Sequence, residues 1–280
     1  MKKPQWITLA AALVMVALLY EFGRIVPSKK ENAARQPDIV DNSASTDSIL
    51  ADAKKRLDPT QIVRLNALEH SIVRGDVREQ KLKVYHQLAH FWADTAQVFE
   101  PYAWYEAEAA RLENSEKSLT FAAHLFLDNL QSDDVAERRK WKAVQARDLF
   151  ERSLKIDPLN DSSTVGLGAC YLFGGISATP MEGILKIRNV VEKDSNNMYA
   201  QMMLAKASLI SGQYDKAVTR LETVCRHEPN NVDAILMLAD VYERTGDKKS
   251  AVYWYQKTLP LIEVPEARAE VEKRISDLKH

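Results

Sequence analysis

Hydrophobic residues recur at helical spacing along nearly all of the chain after Asp47. Apolar positions return every three to four residues there, which is the pattern of amphipathic α-helices. A longer period is superimposed on this one: Leu204-Ala205 and Leu238-Ala239 lie 34 residues apart, and so do Gly212 and Gly246. Because equal units at such a period build repeat architectures, the pattern predicts an all-α solenoid of stacked helix pairs.

The copies share one internal order of residue types. In the last copy an apolar-small pair, Leu238-Ala239, is followed by a turn at Gly246, then by Ala251, and four positions later by Tyr255. Small residues allow two helices to approach closely, and a large residue fills the space beyond them. Each copy is therefore predicted to be one antiparallel helix pair.

These residues resemble the tetratricopeptide repeat, a helix-turn-helix unit of about 34 residues. The last copy matches its pattern as Ile235-x2-Leu238-Ala239-x2-Tyr242, Gly246-Asp247 and Ala251-x3-Tyr255. Earlier copies match with Leu88-Ala89-x2-Trp92, Ala122-Ala123-x2-Phe126, Leu167-Gly168-x2-Tyr171 and Leu204-Ala205. The resemblance spans residues 82–265 as about five repeats, at 82–115, 116–160, 161–197, 198–231 and 232–265. It implies a right-handed superhelix of antiparallel helix pairs.

Two copies depart from the family length. The second carries an insertion around Gln131 to Trp141, and the third has a turn at Gly174 to Pro180 that is about three residues longer than the norm. Helices are also predicted at 47–81, before the repeats, and at 266–280, after them. The last helix has an apolar stripe among charged residues, so it is expected to be a capping helix.

The amino terminus has the pattern of a membrane segment. Pro4 to Tyr20 is a stretch of 17 residues without a charge, preceded by Lys2 and Lys3. That length is at the lower end of what spans a bilayer. No small-x-small cleavage site follows, so an uncleaved signal anchor at residues 1–26 is favoured over a cleaved signal peptide. Residues 27–46 are polar and are expected to form a flexible linker.

The orientation of this anchor follows from its layout. Positive charges are nearly equal on its two sides, but a short amino-terminal tail and a large carboxy-terminal body favour an amino end in the cytoplasm. The body is then expected outside the cytoplasmic membrane, in a periplasm if the cell has one. A body that faces the cytoplasm and receives cytosolic proteins is the alternative.

Composition excludes several classes of function. Lys plus Arg is 38 and Asp plus Glu is 39, so the net charge of −1 argues against a nucleic-acid binder. Two cysteines are too few for a disulfide scaffold or a four-thiolate zinc site. The run Glu137-Arg138-Arg139-Lys140 is expected to be a solvated helix face. No nucleotide-binding or nucleophile-elbow motif occurs, and we expect no enzymatic activity, cofactor or metal.

The resemblance also implies a binding groove. In the family, the first helix of each repeat lines the concave face, and its groove-facing residues flank the apolar-small pair. Transferred to this chain, these positions are Lys83, His86, His90, Lys117, His124, Tyr199, Met202, Lys206, Leu209, Asp240 and Arg244. A clamp for a terminal carboxylate is disfavoured, because Lys206 stands alone in its copy and Asp240 lies in the next. The implied partner is a protein or extended peptide with apolar anchors and mixed charge.

The resulting expectation is a membrane-anchored scaffold or adaptor with a role in protein secretion or envelope complex assembly. The alternative is a zinc-binding or catalytic helical protein that uses His86, His90 and His124. The first two histidines have the i, i+4 spacing of zinc proteases, but Gln87 replaces the glutamate that serves there as general base.

Overall fold

A computed structural model of the chain describes residues 44–74, 77–177 and 179–279. The predicted anchor at 1–26 and most of the predicted linker lie outside these ranges. The described residues form thirteen α-helices. They are α1 (Thr46–Lys54), α2 (Pro59–Arg74), α3 (Arg78–His90), α4 (Phe99–Glu113), α5 (Glu116–Leu130), α6 (Ala136–Ile156), α7 (Asp161–Phe173), α8 (Pro180–Lys193), α9 (Met198–Ile210), α10 (Tyr214–His227), α11 (Val232–Arg244), α12 (Lys248–Thr258) and α13 (Pro265–Lys279).

The described part of the chain contains no strand, so the prediction of an all-α fold is confirmed there. Helices α3 to α12 form five hairpins. The first helix of each hairpin packs on the second helix of its own hairpin and on the helix that precedes it in the chain. We call α3, α5, α7, α9 and α11 the A helices and their partners the B helices. Helix α5 also contacts α7, and α7 contacts α9, so these three A helices form one layer. The right-handed sense of the superhelix stays a prediction.

Within the described residues, no helix combines the length and the apolar composition that crossing a bilayer requires.

The starts of the last three A helices have a shared local cause. Asn160, Asn197 and Asn231 are the N-caps of α7, α9 and α11, and each side-chain oxygen accepts a hydrogen bond from the amide three residues later. Such caps satisfy one of the amides that a helix end leaves unpaired. The turns of the last two hairpins contain Gly212 and Gly246 with φ of 71° and 84°, a region that glycine adopts without steric cost.

Replacing Asn197 with alanine is expected to lower the free energy of unfolding by about 1 kcal/mol, because the amide of Ala200 loses its acceptor. Asn197→Ser should recover most of that loss, since serine is also a good N-cap. The exposed neighbour Asn196 is the matched control, and Asn196→Ala should change stability by less than about 0.5 kcal/mol. Equilibrium urea unfolding measures all three variants, and equal effects of Asn197→Ala and Asn196→Ala would contradict the assignment.

Three apolar clusters hold the layers together. The largest extends from α4 to α11 and includes Ile49 of α1, a second joins α1 to α4, and a third joins α11, α12 and α13. In α13, Val271 and Ile275 are buried, whereas Ala267 on the expected stripe is exposed. The buried residues of α13 cover the apolar end of the hairpin stack, and its polar remainder faces solvent, as in a capping helix.

The folded body begins earlier than the predicted linker boundary at residue 46. Ser45 caps α1 by accepting a hydrogen bond from the amide of Ser48, and the indole nitrogen of Trp141 donates to the hydroxyl of Thr46 at 3.0 Å. Ala44 packs against the main apolar cluster. A buried tryptophan needs an acceptor for its N–H, and this contact attaches the end of the predicted linker to the repeats.

Candidate functional site

Three successive A helices bring polar groups together at one place on their shared layer. The Nε2 atom of His124 in α5 lies 2.9 Å from the hydroxyl of Ser162 in α7. The imidazole also packs edge-to-face against Tyr199 of α9, with ring centroids 5.4 Å apart, and against Phe150, at 5.2 Å. The side chains of three hairpins therefore form one continuous surface, which we call the A-helix surface.

Burial determines the charge of His124. Desolvation lowers the pKa of the imidazole below its usual 6.5, and the carboxylate of Asp128 offsets part of this effect. Burial likewise raises the pKa of Tyr199, whose hydroxyl oxygen is buried and has no hydrogen-bond partner among the described residues. His124 and Tyr199 are thus both uncharged at pH 7.

His124 is expected to titrate below pH 6.5 in an NMR titration of the histidine ring signals, assigned through His124→Gln. Because the unfolded chain takes up this proton at a higher pH than the folded chain, acidification below about 6.5 should lower the free energy of unfolding. Asp128→Asn should depress the midpoint further, because the charge that favours imidazolium is removed. A midpoint at or above 6.5 in the unchanged protein would contradict this account.

The remaining polar positions of the amino-terminal half lie apart from this cluster. His86 Nδ1 lies 3.5 Å from Glu106 Oε2 on α4, and His90 Nδ1 lies 3.3 Å from Asp94 Oδ2, one turn further along the chain. Lys83 and Lys117 are exposed.

The zinc hypothesis required His86, His90 and His124 to converge, and the structure does not bring them together. Each has a separate partner, and His124 is directed toward Ser162 and Tyr199 of the later hairpins. Among the residues with described positions, no group of three or more His, Cys, Asp or Glu is arranged to hold a metal ion. The arrangement therefore does not support the alternative function.

An apolar groove of about 620 Å³ lies further along the A-helix surface. We call it the insertion groove. Its lining residues are Gln131, Arg139, Leu172, Phe173, Gly175, Lys206, Leu209, Ile210 and Met237. Lys206 and Leu209 were expected at the groove from the repeat register. Met202, expected there as well, is only 8% exposed and belongs to the core.

Besides Lys206 and Leu209, the groove is lined by residues that the predicted positions did not include, among them Gln131, Arg139 and Gly175. Gln131 and Arg139 come from the insertion of the second copy, and Gly175 comes from the lengthened turn of the third. Residues of an insertion have no counterpart in the family pattern, so the pattern could not assign any residue of the insertion to the groove. The usable signal was the insertions themselves, because insertions in repeat proteins often line the binding face.

Asp240 and Arg244 lie in a different environment from Lys206. Asp240 accepts from Arg244 Nε at 2.7 Å and from Arg274 Nη2 of α13 at 3.3 Å. It lines a second pocket of about 500 Å³ between α11 and the capping helix. Asp240, the acidic residue expected at the groove position after Lys206, is therefore neutralised by two arginines.

Comparison with known proteins agrees with this architecture. The family model described as "Tetratricopeptide repeat" matches residues 208–260, and no curated protein matches the sequence. A tetratricopeptide repeat protein from Parabacteroides merdae is similar in structure, with a TM-score of 0.53 at 12% identity over 84% of this chain and 86% of that one.

Two further solved structures are more distant. PilW, described as a widely conserved type IV pilus biogenesis factor, gives a TM-score of 0.48 at 12% identity over 77% of this chain and 99% of its own. YrrB, described as a TPR protein with an unusual peptide-binding site, gives 0.41 at 16% identity over 74% and 98%. The family match in the last two hairpins and the fold shared with the Parabacteroides merdae protein together support a tetratricopeptide repeat protein.

Proposed function

We propose that this protein is a non-enzymatic scaffold that binds partner proteins, or extended segments of them, on its A-helix surface. The observation that carries the proposal is the continuity of that surface across hairpins. His124, Ser162 and Tyr199 meet across three A helices, and the insertion groove continues the same layer. Repeat proteins use such extended layers to bind peptides and partner helices.

The chemistry of the surface also favours binding over catalysis. Cys170 and Cys225 are buried, and burial raises the pKa of both thiols, to about 11 for Cys225, so neither is a thiolate nucleophile at pH 7. The imidazole of His124 contacts the Ser162 hydroxyl. Asp128 acts on the pKa of this imidazole through its charge, and among the described residues it makes no hydrogen bond that would orient the ring. A net charge of −1 gives no reason to propose a nucleic-acid partner.

The proposal includes an anchor. The apolar segment within residues 1–26 would tether the body to the cytoplasmic membrane and place it on the extracytoplasmic side, where assistance to protein secretion or to envelope complex assembly is the matching role. Protease treatment of sealed cells tests the orientation. Digestion of the body in intact cells supports it, and protection until the cells are lysed contradicts it.

Site-specific photocrosslinking in living cells tests the scaffold function. A photoreactive amino acid is placed at Leu209 or Ile210 on the A-helix surface, or at Leu159 or Tyr253 as controls. The two control side chains are 80% and 51% exposed and lie outside the A helices. Crosslinks to one recurring partner from positions 209 and 210, but not from 159 and 253, are expected. Equal crosslinking from all four positions would contradict a specific A-helix surface.

A further inference from the structure

The two departures of this chain from the repeat length meet at one groove. Part of the insertion of the second copy extends helix α6, which runs over Ala136–Ile156 and carries Arg139 in its first turn. Gly175 belongs to the lengthened turn between α7 and α8, and it lines the same groove as Arg139. The insertion groove is therefore a feature of this chain's own irregularities and differs from a surface that every repeat would provide.

The wall of the groove is apolar and incompletely covered. Leu172 and Phe173 of α7, Leu209 of α9 and Met237 of α11 are half-buried, and Ile210 is 76% exposed. The volume of about 620 Å³ falls within the roughly 300–1,000 Å³ of typical ligand sites. Because Gly175 and Ile210 leave its edge exposed, a polypeptide could enter and leave without ending inside the groove.

Within the described part of the chain, no carboxylate pairs with the cations of the groove, whereas those of the neighbouring pocket are ion-paired. Among the described residues, Lys206 Nζ donates to the amide oxygen of Gln131 at 3.2 Å, and Arg139 Nη1 donates to the backbone carbonyl of Asp133 at 3.0 Å. Both acceptors are neutral. Arg244 and Arg274, by comparison, are paired with the carboxylate of Asp240. A charged hydrogen-bond partner would bind Arg139 and Lys206 more strongly than these neutral oxygens do.

We propose that the insertion groove binds an internal segment of a partner protein in which an acidic side chain stands next to large apolar side chains. The apolar side chains occupy the wall formed by α7, α9 and α11, and the carboxylate bridges Arg139 and Lys206. The inference rests on the proposed scaffold function and specifies the partner chemistry that this part of the surface selects.

Selection from a library of random peptides, tethered at both ends, tests the proposal with the full-length chain in mild detergent. Peptides that combine Asp or Glu with Leu, Ile, Phe or Met should be enriched. Synthetic copies blocked at both termini should bind about tenfold more weakly to Lys206→Glu and to Ile210→Asp. The matched controls Lys193→Glu and Leu159→Asp change exposed residues outside the groove and should leave binding unchanged.

A charge exchange supplies the second readout. The double variant Arg139→Glu/Lys206→Glu should lose the acidic peptides and bind copies in which Asp or Glu is replaced by Lys. Circular dichroism must show unchanged melting, which is expected because none of the exchanged side chains is buried. Recovery of binding by the exchanged pair cannot come from a general loss of structure.

The remaining outcomes separate this inference from the scaffold proposal. Enriched peptides without acidic residues, or binding that the groove variants leave intact, would overturn the inference while the scaffold proposal stands. Synthetic copies with a free carboxy terminus are assayed beside the blocked ones, and binding by the unblocked copies alone would overturn the choice of an internal segment. Retention of no peptide class would count against both proposals.

Discussion

Replacing Lys142 with methionine is expected to lower the free energy of unfolding by about 3–5 kcal/mol, the largest effect of any substitution considered for this protein. Lys142 is 2% exposed although it is charged. Its ammonium group lies 2.5 Å from Asp133 Oδ2 and 2.9 Å from Glu100 Oε1. Methionine fits a similar volume but leaves the carboxylates of Asp133 and Glu100, which are 1% and 15% exposed, with one cation fewer.

The network around Asp133 shows why this loss should be large. Arg138 donates two hydrogen bonds to the same carboxylate, and the amide of Val135 donates a third. Burial alone would raise the pKa of Asp133, but the hydrogen bonds from Arg138 and Lys142 outweigh it and hold the pKa well below its usual range. The carboxylate thus stays charged in the folded protein, and it needs both cations.

The matched control is Lys155→Met in the same helix, where the side chain is exposed, and it should change stability by less than about 0.5 kcal/mol. In urea unfolding, the double variant Lys142→Met/Asp133→Asn should lose less free energy of unfolding than the two single variants lose together. The second change removes the charge that the first leaves with fewer partners. A loss below about 1 kcal/mol for Lys142→Met would show that the network tolerates the missing cation.

The same network makes the free energy of unfolding depend on pH. Since the pKa of Asp133 is lower in the folded chain than in the unfolded chain, its contribution to stability is complete above about pH 4 and is lost as the pH falls further. Asp133→Asn should therefore be less stable than the unchanged protein at pH 7, and its stability should fall less steeply below pH 4.

The repeat pattern predicted the helix pairs well because their contacts are set by the repeat register. Leu204-Ala205 and Leu238-Ala239 predicted where helices pack, and Lys206 and Leu209 followed as groove positions from the same spacing. Each of these inferences uses contacts within one hairpin or between equivalent helices. Such contacts are repeated along the chain, so one copy is informative about the next.

The buried charges could not be predicted in the same way. The run from Glu137 to Lys140 mixes both signs and was expected to be solvated, yet Arg138 is ion-paired with Asp133, whose side chain is 1% exposed. The pairing depends on the conformation of the turn between α5 and α6, which belongs to the insertion. That turn also sets the groove, because the backbone carbonyl of Asp133 holds the guanidinium of Arg139. Stability and the proposed specificity therefore share one structural element.

Replacing Gly183 with alanine is expected to lower the free energy of unfolding by about 2–3 kcal/mol, although alanine is the better helix former by about 1 kcal/mol. A Cβ atom at Gly183 would lie 2.4 Å from the carbonyl oxygen of Gly168, in the neighbouring helix α7. A Cβ atom at Gly168 would in turn lie 2.7 Å from the carbonyl oxygen of Gly183. Both obstacles are backbone atoms, so no side chain can rotate away to make room.

Asn189→Ala in the same helix is the matched control, because residue 189 is exposed and gains only helix propensity. In urea unfolding, the free energy of unfolding should fall for Gly183→Ala and rise slightly for Asn189→Ala. Helices α7 and α8 can relieve the clash at Gly183 only by moving apart, and α7 carries Leu172 and Phe173 into the insertion groove. Gly183→Ala should accordingly weaken peptide binding under conditions where the chain is still folded. A stable Gly183→Ala variant with unchanged binding would mean that the close approach of these helices is not required for the groove.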